Sequence, residues 1–119
     1  MDRIGEYHIL MAHYAELDAH GTVLRVVVVH NDVSVDEAAG QVFIANLLGG
    51  EWIQCSYSGR IRKRYPGIGS TYNALKQIFI APQPFPSWSL NLKHEWEPPT
   101  PSPEGLFRWN ETTLSWVAE

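Results

Sequence analysis

The chain has 119 residues, of which 45% are hydrophobic and only 18% charged, with a formal net charge of −4, five Trp, eight Pro and one Cys. A domain of that size can bury a core without cross-links, and a lone cysteine excludes an internal disulfide or a cysteine zinc site. No apolar run approaches the ~20 residues of a membrane helix, and Asp2, Arg3, Glu6 and His8 interrupt any signal-peptide core, so synthesis in a cytoplasm and no membrane partner are expected.

In chain order, residues 1–10 form an N-terminal extension. Ala12 to Asp18 alternates loosely, Asp18-Ala19-His20-Gly21 has turn chemistry, and Thr22 to His30 is dense in valine. This predicts an antiparallel hairpin whose second strand, apolar on both faces, is buried at the centre of a sheet. Ser34 and Glu37 have capping-box spacing, with Val33 and Ala38 placed for a hydrophobic staple. One helix is predicted over about 35–48. Its core face would carry Val35, Ala38, Ala39, Val42, Phe43, Asn46 and Leu47, and Gly49-Gly50 would stop it. Glu51 to Tyr57 reads as a strand, with Ile53, Cys55 and Tyr57 on one side and Trp52, Gln54 and Ser56 on the other.

Arg60 to Tyr65 reads as a basic strand or loop. Residues 52–94 hold six bases and no acid, whereas residues 95–119 hold five acids and one base. Arg60, Arg62, Lys63 and Arg64 supply four of those six charges. Three readings stay open for them: a solvated loop, a dock for an acidic or phosphate-bearing partner, and head-to-tail self-association. Nucleic acid is not an expected partner, because the chain is acidic overall and holds no recognised binding motif.

A weak repeat follows. Tyr72-Asn73 precedes Phe79-Ile80-Ala81 as Trp109-Asn110 precedes Trp116-Val117-Ala118, and Trp88 and Trp96 around Asn91 form a looser copy. Each copy predicts a short hairpin with aromatics facing each other across the strands. Seven of the eight prolines lie within residues 82–103, which predicts stiff extended spacers around the middle hairpin. The expected architecture is α+β: a compact body over 11–81, an antiparallel meander with one helix packed on it, then a proline-spaced hairpin arm over 82–119.

No chemistry stands out. The five histidines lack metal-site spacing, Cys55 reads as a buried structural thiol, and Gly67-Ile68-Gly69 is not followed by a helix as a phosphate loop would be. No catalytic residue, metal site or cofactor is expected. The candidate partner-binding residues are the four basic ones and Trp88, Trp96, Trp109 and Trp116, because exposed aromatics and arginines are enriched at interfaces.

Several stretches also resemble a group of small, largely uncharacterised virion-associated proteins of tailed bacteriophages, those of cyanobacteria among them. They are Met11 to Asp18 with the valine-rich strand, Gln54 to Gly59, Gly67 to Tyr72, Pro82 to Trp88, Trp109-Asn110-Glu111 and Ser115-Trp116-Val117. The similarity runs over about residues 11–119 and leaves residues 1–10 outside. It implies a non-enzymatic structural role in the virion, binding other virion proteins as a capsid decoration, neck or tail accessory, with self-association. The alternative is a carbohydrate-binding adhesion module at a tail or fibre tip, with the four tryptophans as stacking platforms for a surface glycan.

Overall fold

The computed structural model describes residues 11–30 and 36–119. The expected extension over 1–10 and the roles of Val33, Ser34 and Val35 lie outside the described residues. Among the described residues the protein is α+β, mostly antiparallel strands with one helix. It divides into two compact units, one ending at Ile80 and the other spanning Ala81–Glu119, one residue before the expected break.

In the first unit, β1 (Met11–Leu17) and β2 (Val23–His30) form the expected hairpin. Its turn is held by Asp18, whose Oδ1 accepts from the backbone N–H groups of Thr22 at 2.9 Å and His20 at 2.8 Å. Those donors, Thr22 first, hold the Asp18 carboxyl below its ordinary pKa. Helix α1 (Glu37–Leu48) leads to β3 (Glu51–Cys55), which pairs antiparallel with β1, giving the order β2–β1–β3. The middle strand is therefore β1 and not the valine-rich β2. Small Ala12 and Ala15 on β1 sit where elements close over each face, and Tyr14 and Ala15 are fully buried.

The sheet is covered on both faces. On one side Ala12, Tyr14, Val29 and Trp52 meet Ile44 of α1. On the other, Ala15, Val23 and Cys55 meet Phe79 of a second hairpin, β4 (Thr71–Asn73) with β5 (Ile78–Ile80). This double cover explains why β2 is apolar on both sides although it is not central. Where neither cover reaches, its side chains are open: Val28 is 50% exposed. Gly69 N–H donates to Val23 O, and Val23 N–H donates to Ser70 O, tying the approach to β4 onto the start of β2.

The helix differs from its predicted form at its start and in its face. Its N-cap is Asp36, which accepts from Ala39 N–H at 2.8 Å, two residues after the expected cap. Gly40 and Ile44 point to the sheet, whereas Val42 and Leu47 are 60% and 65% exposed and Phe43 is also exposed. The segment is apolar nearly all round, so spacing does not choose the inner face. Packing does, burying Gly40 and Ile44. Gly49 ends the helix in a left-handed conformation, φ 73°, with its N–H donating to Ala45 O.

In the second unit, β6 (Ser89–Leu90) pairs with β7 (Trp96–Glu97), and β8 (Phe107–Asn110) pairs with β9 (Ser115–Ala118). The predicted repeat is visible in space. Tyr72 lies opposite Phe79, and Trp109 lies opposite Trp116. In both copies the Asn side chain accepts from the backbone three residues on, Asn73 from Lys76 N–H and Asn110 from Thr113 N–H. In both, the fourth residue after Asn takes a left-handed φ, Gln77 at 56° and Leu114 at 52°. The middle copy departs from this pattern. Trp96 pairs with Leu90 and not with Trp88, and its indole N–H donates to Ala81 O at 2.7 Å.

The first proline run does not form a rod. Gln83 Nε2 donates to Trp88 O at 2.9 Å, and Trp88 N–H donates to Phe85 O at 3.1 Å. That turn folds the first proline run back and sets Phe85 against Trp88, with ring centres 5.7 Å apart.

Candidate functional site

The basic run forms a loop between β3 and β4, and its four cations have different surroundings. Arg62 is internal. Its Nη2 donates to Glu37 Oε1 at 3.0 Å, its Nη1 to Gln54 O at 3.0 Å and its Nε to the Tyr72 hydroxyl at 3.2 Å. Glu37 completes the bracket, since its Oε2 accepts from Gln54 N–H at 3.0 Å. Gln41 Nε2 donates to Trp52 O at 2.8 Å. Side chains from α1 and the loop thus satisfy backbone groups of β3 that lack strand partners. Glu37 turns toward β3, and Arg62 is assigned to the fold and not to a partner.

Arg60 is exposed, and its Nε donates to Ser58 Oγ at 3.2 Å. Lys63 is exposed, with a left-handed φ of 75° following the 53° of Arg62. Arg64 is half-buried, and its Nε is buried without a hydrogen-bond partner among the described residues. Beside this loop lies a ring cluster that the sequence reading missed. His13 of β1 lies 6.2 Å from Tyr57 and 5.7 Å from Tyr65, and the two tyrosines are 5.3 Å apart. The available signal was that Tyr57 and Tyr65 flank the basic run. Cys55, opposite His13 in the sheet, is buried: burial pushes its thiol up to about 12, so it is protonated and a poor nucleophile at neutral pH.

In the second unit the four predicted tryptophans separate. Trp88, Trp109 and Trp116 form a mutually edge-on cluster, with centres 5.2–6.2 Å apart. Trp109 is buried within it, so it offers no stacking platform. Trp96 lies outside the cluster, anchored to Ala81. Trp88 and Trp116 border a groove of about 390 Å³ with Glu97, Pro98, Pro101 and Ser102. The Trp116 indole N–H donates to Thr100 O at 2.8 Å, which fixes the ring against the second proline run. The prolines are thus a wall of the groove.

Glu111 holds the cluster together. Its Oε1 accepts from Ser87 Oγ at 2.6 Å and Trp109 Nε1 at 2.8 Å, while its Oε2 accepts from Ser87 N–H at 3.0 Å. Ser87 first and Trp109 second hold its carboxyl below the ordinary value of 4.5. Because the folded pKa is the lower one, the clamp stabilises fully above pH 4.5 and fades as pH falls through the folded value. Tryptophan emission is therefore expected to shift in acid, and Glu111→Gln is expected to remove that step. An acid step unchanged in the variant would assign it to another carboxyl.

Among the described residues, no group of His, Cys, Asp and Glu is placed to hold a metal ion, and no helix is long and apolar enough to cross a membrane. Comparison with protein-family models, curated proteins and solved structures gives no match.

Proposed function

We propose that this chain is a non-enzymatic structural protein of a tailed-phage virion, where it binds other virion proteins on the capsid, neck or tail. The observation that supports this most is the outward apolar face of α1, formed by Val42, Phe43 and Leu47. An exposed, contiguous apolar patch on a well-formed helix marks a surface that meets another protein. The resemblance to phage proteins supplies the setting.

Mass spectrometry of purified particles from the encoding phage tests the reading. The chain is expected in the particle in fixed stoichiometry, and its absence would overturn the proposal. A Leu47→Glu variant is expected to fold normally and to be lost from the particle. The Trp88–Trp116 groove favours the second reading, a carbohydrate-binding module at a tail or fibre tip, but burial of Trp109 reduces the platforms on which that reading drew.

A further inference from the structure

We propose that copies of this chain associate head to tail, with Arg60 of one copy entering the groove between Trp88, Trp116 and Glu97 of the next. This requires no virion, so it stands or falls separately from the structural role above.

The groove has the chemistry of a cation site. Two indoles and two prolines give it apolar walls, and Glu97 is the charged residue of its lining. The negative face of an indole attracts a guanidinium, which is weakly hydrated and stacks readily, and a carboxylate adds charge-assisted hydrogen bonds. Glu97 is held in place, since its Oε1 accepts from Asn91 Nδ2 at 2.8 Å.

The chain carries the matching cation. Of the three arginines in the basic loop, Arg62 is committed to Glu37 and Arg64 is half-buried, whereas Arg60 is exposed, with its Nε on Ser58 Oγ. Charge favours the same pairing over a wider area. Within the first unit, residues 52–80 contain five bases and no acid, whereas the second unit, residues 81–119, contains five acids and two bases. The loop belongs to the first unit and the groove to the second, so every copy carries one of each. Such a heterologous contact propagates into a ring or an open chain.

Sedimentation velocity on the full chain tests this. Concentration-dependent oligomers are expected at low salt, dissociating in about 1 M salt, where the Debye length falls to about 3 Å. Arg60→Glu and Glu97→Arg are each expected to weaken association by about tenfold or more while leaving the circular dichroism unchanged. Mixing the two variants is expected to restore it, because each then meets an opposite charge at both contacts. A monomer at every concentration and salt would overturn the proposal, including one whose groove binds a glycan. So would oligomers indifferent to either substitution, or a mixture that stays monomeric.

Discussion

Phe79→Ala is expected to destabilise the first unit by about 3–5 kcal/mol, measured by denaturant unfolding. The ring is fully buried, yet it belongs to a three-strand-residue hairpin that could not stand alone. It reaches from β5 into the cluster of Ala15, Val23 and Cys55, and so closes the core on that face of the β2–β1–β3 sheet. Truncation removes the transfer free energy of the ring and leaves a cavity that the paired strands cannot close. Domains are stable by only about 5–15 kcal/mol, so this one change would consume a large share. Leu75→Ala, at the exposed tip of the same hairpin, is expected to stay within about 0.5 kcal/mol. A loss below about 1 kcal/mol for Phe79→Ala would mean that the hairpin does not hold the second face.

Arg62→Met is expected to cost about 2–3 kcal/mol, and Arg62→Lys most of the same. The methionine keeps the stem and removes the guanidinium. Gln54 O then loses its donor, and Glu37 keeps its charge without its counter-ion. Losing one partner of a fully buried pair typically costs about 3–5 kcal/mol. Here the two side chains retain 16% and 27% exposure, so water offsets part of the penalty. Lysine restores the charge but cannot reach Glu37, Gln54 and Tyr72 at once. A change within about 0.5 kcal/mol would return Arg62 to the surface residues available for partners. The contrast with Arg60 is the practical consequence, since variants of Arg62 would lose binding through lost folding.

The two arginines also show how far sequence reasoning reaches for a site. Arg60 and Arg62 lie two positions apart in one charge run, and composition cannot separate them. Only the approach of α1, β3 and β4 turns one of them into an internal bracket. The tryptophans divide in the same way. Their repeat spacing located the hairpins, but the register of β6 against β7 decided that Trp88 leaves Trp96 and joins Trp109 and Trp116.

Local chemistry by itself determined the elements. Asp18 and Gly21 make the first turn, valine density makes β2, Gly49 ends the helix, and the spacing of aromatics about Asn73 and Asn110 makes two hairpins. These are short-range effects, complete within a few residues. Tertiary structure alone decided which strand is central, which face of α1 turns inward, and which cation and which indole stay available. Each depends on what arrives from a distant part of the chain. Ile44 and Phe79 close opposite faces of β1, and Glu37 meets Arg62 across twenty-five positions. A helix apolar all round and a strand apolar on both sides fit several arrangements equally well, and packing selects the one that leaves the fewest polar groups unpaired.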